Sequence, residues 1–302
     1  MSRRKGLIAL AALAATMAWA GPAMAQQQYA QQLQKVSVGA LRLASSGPIF
    51  IAKDKGYFEA EGLDVEVKTF TAAQQVPVAV TSGDVDFGIT GLTAGFYNLA
   101  GRGALKIIAA QSREEPGYQL VAYMASHAAH AAGLTKLGDL PGKRVGITTV
   151  GSTFHYSLGI LAQKYRFDIA RVTMVPLQTL PNMAAAFKGS QVDAILAPVN
   201  LARALEAEGA GKIIGWVGDE TPWQLGALFT SPRLVAERRA VAERFVRAYQ
   251  RGASDYNRAL NAREGGRPAK GPGYDEMLGI VARWVQQPPE LVATGLPYVD
   301  PQ

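Results

Sequence analysis

Small hydroxyl-bearing residues and glycines follow several apolar runs in this sequence, and such groups can bind an anion without any formal positive charge. In "RVGITTVGSTFHYSLGIL", residues 144–161, a β-branched run ends at Gly151, Ser152 and Thr153, and an apolar rhythm of helical spacing follows. A strand that turns directly into a helix leaves the first N–H groups of that helix unpaired, at the positive end of its dipole. We therefore expect this turn to receive an electronegative group of a ligand.

The same combination of an apolar run, a small polar turn and a helix recurs at three other places, in "ASSGP", "ITGLT" and "APVN". Ligands of open α/β sheets bind at the carboxyl ends of the strands, where such turns lie. The alternative for each hydroxyl is an ordinary helix cap, and His155 either contacts the ligand or packs beneath its turn. The predicted ligand-binding residues are Ser45, Ser46, Thr90, Gly91, Thr93, Gly151, Ser152, Thr153, His155, Asn200 and Gln224.

Motifs for catalysis or cofactor binding are missing from the sequence. There is no G-x-S-x-G elbow, no P-loop and no G-x-G-x-x-G after a strand. His127 and His130 have no third ligand beside them, and the chain contains no cysteine for thiolate chemistry or disulfides. We therefore expect a protein that is not an enzyme and that needs neither a metal nor a cofactor.

Short β-type runs alternate with helical stretches from residue 36 to about residue 229, which predicts an α/β fold with mostly parallel sheets. After Ser231 the spacing of apolar residues becomes helical. A weak repeat relates residues 83–108 to residues 189–214, because each has Val-Asp, an apolar run, an Ala/Leu-rich helix and then Lys-Ile-Ile. The predicted strands are residues 35–43, 63–70, 85–90, 105–110, 118–124, 144–149, 172–177, 192–197, 212–217 and 226–231.

The repeat indicates two lobes of similar build. Two polar, proline-containing segments, residues 112–119 and 218–225, flank the second copy of the repeat. If both are crossovers, residues 26–118 and 223–302 form one lobe and residues 119–222 the other, joined by a two-segment hinge. A cleft between such lobes is the natural site for a ligand.

The first 25 residues have the pattern of a secretory signal peptide. A basic start at Arg3, Arg4 and Lys5 precedes an apolar stretch, and Ala23-Met24-Ala25 gives a cleavage site after Ala25. Removing those three cations lowers the formal charge from +7 to +4. The remaining Lys and Arg residues are scattered, so we expect no nucleic-acid partner. The predicted location is the periplasm.

Several segments resemble periplasmic solute-binding proteins of the nitrate/sulfonate/taurine type. They are "GPIFIAKDKGYFEAEGLDVEV", "SGDVDFGITG", "LGDLPGKRVGITTVGSTFHY" and "KGSQVDAILAP", within a likeness that runs from about Val36 to Pro301. The resemblance implies a two-lobed type II periplasmic-binding-protein fold. It also implies that a monomer closes on a small solute, such as a sulfonate or carboxylate, for an inner-membrane ABC permease with its ATPase. Ala197 stands where family members often have tryptophan.

Two other functions remain open at this point. One is binding of a neutral heterocycle, such as a thiamine-pyrimidine precursor. The other is an enzyme of the thiamine-pyrimidine synthase type, which shares the fold but depends on a cysteine-rich motif that this chain lacks.

Overall fold

The apolar, β-branched runs form two five-stranded sheets in a computed structural model, which describes residues 33–300. The predicted signal peptide lies outside these residues. The first sheet contains β1 (Gln34–Leu41), β2 (Leu63–Phe70), β3 (Phe87–Gly91), β4 (Lys106–Ala110) and β12 (Gly226–Thr230). The second contains β6 (Val121–Ser126), β7 (Arg144–Ile147), β8 (Thr173–Pro176), β9 (Ala194–Pro198) and β10 (Gly211–Trp216). All ten predicted strands are confirmed.

The remaining strands form two short ribbons: β5 (Arg113–Glu114) with β11 (Trp223–Gln224), and β13 (Arg263–Glu264) with β14 (Arg267–Pro268). Short 3₁₀ turns occupy Ala44–Ser46, Leu137–Asp139 and Ile169–Arg171. The α-helices are α1 (Gly47–Asp54), α2 (Tyr57–Ala60), α3 (Gln75–Ser82), α4 (Ala94–Gly101), α5 (His127–Ala131), α6 (Thr153–Tyr165), α7 (Leu180–Lys188), α8 (Val199–Ala207), α9 (Val217–Glu220), α10 (Pro232–Glu237), α11 (Arg239–Leu260), α12 (Tyr274–Val285) and α13 (Pro289–Val292).

Each sheet has one strand that runs against the others. The strand orders are β2-β1-β3-β12-β4 and β10-β6-β9-β7-β8. β12 is antiparallel to both β3 and β4, and β6 is antiparallel to both β9 and β10. These two strands are the ones that the chain enters directly after crossing from the other sheet. Four of the five strands in each sheet therefore run in the same direction, as predicted, and the inserted antiparallel strand makes both sheets mixed.

The predicted repeat corresponds to the same structural unit in the two sheets. Its first copy is β3, α4 and β4, and its second copy is β9, α8 and β10. In both copies the two strands of the repeat lie on either side of the inserted antiparallel strand.

Separate apolar cores hold the two sheets. In the first core, α11 packs Phe245 against Phe87 of β3, with ring centroids 3.9 Å apart. The second core contains Phe187 of α7 and Leu158 of α6. Each burial of a large apolar side chain contributes roughly 1.5–3 kcal/mol to folding, so each half has its own source of stability.

The chain passes between the sheets twice, and the two passages meet in the β5–β11 ribbon, where Trp223 pairs with Glu114. Both strands of this ribbon fall within residues 112–119 and 218–225, the segments predicted as a hinge. Movement at this hinge, and the proposed lobe limits at residues 118/119 and 222/223, stay predictions. Within residues 33–300 no helix is long and apolar enough to cross a membrane.

Candidate functional site

A small cavity of about 50 Å³ lies between the two sheets, where strands of both sheets end. Ser45 and Ser46 approach it after β1, Thr90 and Gly91 end β3, and Thr148 follows β7. We call this space the inner cavity. No residue that lines it within the described chain carries a formal charge; its lining comprises Leu41, Leu43, Ser45, Ser46, Ala72, Ala73, Ile89, Thr90, Gly91, Gln111, Leu120, Val121, Thr148, Thr153, Phe154, Leu180, Pro198 and Leu225.

Two helices from opposite sheets begin at the inner cavity. α1 starts directly after Ser46, with Pro48 in its first turn, and the Ser46 hydroxyl makes no cap hydrogen bond. α6 starts at Thr153, and Thr153 and Phe154 both line the cavity. The N–H groups of a first helical turn have no partner inside their own helix. Hydroxyls and helix dipoles thus make the cavity electropositive although it contains no cation.

The sheets are in contact on both sides of the inner cavity, so the structure is a closed form. The Ala94 N–H of α4 donates to the Gly151 carbonyl oxygen at 2.8 Å. On the other side, Asn200 Nδ2 donates to the Arg42 carbonyl oxygen at 3.3 Å. A Cβ added to Gly91 would lie 2.8 Å from Thr153 Cγ2, so the absence of a side chain at residue 91 lets the sheets approach.

A larger space of about 560 Å³ adjoins the turn between β7 and α6, and we call it the outer chamber. Gly151 and Ser152 line it, while the next residue, Thr153, lines the inner cavity. His155 also faces the chamber, and its Nδ1 accepts a hydrogen bond from the Gly151 N–H at 3.0 Å. The chamber is lined by Leu92, Ala94, Tyr97, Gly151, Ser152, His155, Tyr156, Gly159, Ile160, Gln163 and Trp223.

The predicted ligand-binding residues are divided among several places. Five line the inner cavity: Ser45, Ser46, Thr90, Gly91 and Thr153. Three line the outer chamber: Gly151, Ser152 and His155. Asn200 lines a third space of about 340 Å³, on the Arg42 side of the cleft. Their role in ligand binding stays a prediction.

Thr93, Ser152 and Gln224 have hydrogen-bond partners inside the protein. The Thr93 hydroxyl accepts from the Phe96 N–H at 3.1 Å and caps α4. The Ser152 hydroxyl accepts from the His155 N–H at 3.2 Å and caps α6, but its own proton remains available to a ligand. Gln224 Nε2 donates to the Ser112 and Gly226 carbonyl oxygens at 3.2 and 2.8 Å, which ties β11 to β12.

Several residues at the cleft were not predicted from the sequence. Thr148 and Gln111 line the inner cavity, and Tyr97, Tyr156 and Trp223 line the outer chamber. Thr148 directly follows β7, so it could have been predicted from the tendency of ligands to bind at the carboxyl ends of strands. The three rings are far apart in sequence and come together only through the closed arrangement of the sheets.

A buried carboxyl lies in the crossover beside the cleft. Glu114 of β5 is 1% exposed. Burial raises the pKa of Glu114 well above its usual value, and the nearby backbone N–H groups of Val121 and Gly218 oppose that rise. Burial also raises the pKa of Tyr97, which lines the outer chamber, with a further contribution from Tyr156.

Metal binding has no support in the described part of the chain, because residues 33–300 contain no group of three His, Cys, Asp or Glu side chains placed to hold an ion.

Solved structures with the same fold include an alkanesulfonate-binding protein and a nitrate-binding protein. The alkanesulfonate-binding protein SsuA from Xanthomonas axonopodis pv. citri, bound to MOPS, is 18% identical, with a TM-score of 0.71 over 87% of this chain and 83% of that one. The periplasmic nitrate-binding protein NrtA from Synechocystis PCC 6803 is 15% identical, with a TM-score of 0.66 over 86% and 69% of the two chains.

An enzyme shares the fold as well. The desulfurization enzyme DSZB is 13% identical, with a TM-score of 0.59 over 88% of this chain and 84% of that one. These likenesses establish the periplasmic-binding-protein fold. No curated protein matches the chain in sequence. The NMT1/THI5-like family model matches residues 44–258, which is well over half of the sequence, and the chain therefore belongs to this family.

Proposed function

We propose that this protein is the solute-binding component of an ABC importer and captures a small organic anion, such as a sulfonate or carboxylate, in the cleft between its sheets. The observation that carries the proposal is the inner cavity, which combines hydroxyls with the N-termini of α1 and α6 from opposite sheets. A hydrogen bond to a charged group is worth about 1.5–3 kcal/mol, so a few such donors are enough for capture without a cation.

The fold neighbours support this proposal from a separate direction. One neighbour is an alkanesulfonate-binding protein and the other a nitrate-binding protein, and both of these ligands are anions. A ligand that contacts α1 and α6 together would hold the sheets in the closed form. Closure of this kind gives a permease a shape that differs between the loaded and the empty protein.

Location and partners follow from the same proposal. The signal-peptide pattern of residues 1–25 is consistent with export to the periplasm. The partners would be the solute and an inner-membrane permease with its ATPase, and we expect the protein to act as a monomer. We expect no turnover of the bound solute, since neither the sequence nor the cleft supplies a nucleophile paired with a general base.

A thermal-shift screen of the purified protein tests the proposal. The panel would contain nitrate, short alkanesulfonates, carboxylates and neutral amides of matched size. A ligand that binds only the folded state raises Tm by mass action. We expect acids to raise Tm more than their amides do. Equal shifts for acids and amides would contradict the anionic solute, and conversion of a bound compound to product would contradict the absence of catalysis.

A further inference from the structure

The outer chamber is bounded by three aromatic rings from three parts of the fold. Tyr97 belongs to α4 beside the first sheet, Tyr156 to α6 of the second sheet, and Trp223 to the crossover ribbon. The Tyr156 and Trp223 ring centroids are 4.7 Å apart, with the planes inclined at 60°. Tyr97 and Tyr156 are 56% and 53% exposed. Large rings left open inside a concave space are typical of a binding site.

Hydrogen-bond donors accompany these rings. His155 Nδ1 accepts from the Gly151 N–H, so in the neutral imidazole the proton is on Nε2. The Trp223 indole N–H is buried and has no acceptor among residues 33–300. The donors therefore favour a ligand whose ring system carries acceptor atoms.

The charge of the side chains that line the chamber also bears on the kind of ligand that it can bind. Among the described residues that line it, none is a lysine, arginine, aspartate or glutamate. A charged group placed between the rings would lose its hydration and find no opposite charge. A volume of about 560 Å³ lies within the range of small-molecule sites.

We propose that the outer chamber binds the uncharged, planar aromatic or heteroaromatic part of the solute, while the Gly151–Thr153 turn, which borders both spaces, receives its acidic group. This inference rests on the proposed function and names the solute class: a small aromatic acid with an acceptor atom in or on its ring. Because the rings come from both sheets and from the crossover, the chamber is complete only when the cleft is closed. Ring stacking thus contributes to closure.

Four probes of similar size separate the ring from the acid: nicotinate, cyclohexanecarboxylate, nicotinamide and cyclohexanecarboxamide. Calorimetric titration of the purified protein gives the four affinities. Trp223 emission is followed in parallel, because a ring stacked on the indole changes it, and Trp223→Phe identifies the source of the signal. We expect nicotinate to bind most tightly and to change the emission.

Two exposed tyrosines of the same helix provide a matched pair of variants. Tyr156→Ala removes a ring of the chamber, whereas Tyr165→Ala removes a 41% exposed ring at the far end of α6, outside the chamber. A stacked aromatic pair accounts for about a threefold to tenfold change in affinity. We expect that loss for nicotinate in Tyr156→Ala, little change for cyclohexanecarboxylate, and no change for either acid in Tyr165→Ala.

The outcomes distinguish this inference from the proposed function. Equal binding of both acids, with unchanged Trp223 emission and no effect of Tyr156→Ala, would overturn the aromatic chamber and leave anion capture standing. Nicotinamide binding as tightly as nicotinate would support ring binding in the chamber, but it would overturn both the acidic group at the Gly151–Thr153 turn and the anionic solute. Failure of all four probes to bind would overturn the inference.

Discussion

The Ala94 N–H donates to the Gly151 carbonyl oxygen at 2.8 Å, and this bond joins the first turn of α4 to the turn that opens α6. It links one sheet to the other through backbone atoms, so it forms only when the cleft is closed. Gly151 has a φ of +81°, and a Cβ there would lie 2.9 Å from the Ala94 Cβ. Two separate features favour glycine at residue 151: the positive φ of its backbone and the close approach of Ala94.

Gly151→Ala should therefore weaken the contact between the sheets. Alanine is strained at this positive φ, which lowers the free energy of unfolding by about 1 kcal/mol. The added Cβ also clashes with Ala94 and holds the cleft open. Hydrogen exchange measures the second effect, because the Ala94 amide loses its acceptor and exchanges faster.

Gly209→Ala is the control, because Gly209 has a φ of +73° and no atom lies within 4 Å of the added Cβ. It should lose stability but keep the Ala94 amide protected. Equal exchange rates in the two variants would contradict the prediction.

Ser152→Ala distinguishes a helix cap from a ligand contact. The Ser231 hydroxyl caps α10 through the Leu234 N–H at 3.1 Å, far from the cleft, so Ser231→Ala is a matched control. Both substitutions should lower the free energy of unfolding by about 1 kcal/mol, as measured by urea titration. Only Ser152→Ala should also weaken binding of an acid probe, by about ten- to a hundredfold. An unchanged affinity would mean that Ser152 serves only as a cap.

Glu114→Gln should change how stability depends on pH. Because burial raises the pKa of Glu114 in the folded state, that state holds the proton more tightly than the unfolded chain does. The resulting stability is present below the unfolded pKa of about 4.3 and is lost as pH rises through the folded pKa. The variant should thus be more stable than the natural protein at pH 8 and show a flatter curve of Tm against pH.

Glu290→Gln, at an exposed residue, should leave the curve unchanged. Parallel curves for Glu114→Gln and the natural protein would argue against a buried, protonated Glu114.

Small-angle scattering checks the hinge in the crossover segments. The inner cavity of about 50 Å³ is too small to hold an organic acid in the closed form, so we expect the empty protein to open before an acid binds there. We expect the radius of gyration to fall when the best-binding acid of the screen reaches saturation. A radius that does not change would count against movement at the β5–β11 ribbon.

The sequence predicted the strands well because their signals are local. Runs such as residues 63–70 contain enough β-branched and apolar residues to define a strand without reference to partners. The direction of β6 and β12 could not be predicted in this way, since it depends on which sheet the chain has just left. Local pattern identifies a strand, and connectivity determines its orientation.

The candidate site was predicted only in part for a similar reason. Strand-end turns indicated Ser45, Thr90 and Thr153, which meet at one cavity. The same pattern also included Thr93, whose hydroxyl caps its own helix, because caps and ligand donors share residue types. Tyr97 and Tyr156 are separated by more than fifty residues, and no local spacing relates them.

The insertion of β12 between β3 and β4 has a consequence for the order of folding. The strands of the second sheet lie in one continuous stretch, from Val121 to Trp216. In the first sheet β3 and β4 are not neighbours, and among residues 33–300 β4 pairs only with β12, which is made more than one hundred residues later. Because the chain is synthesised from its N-terminus, the second sheet can be completed before the partner strand of β4 has been made. The first sheet therefore stays incomplete until the final quarter of the chain has been made, and β4 keeps an unpaired edge until then.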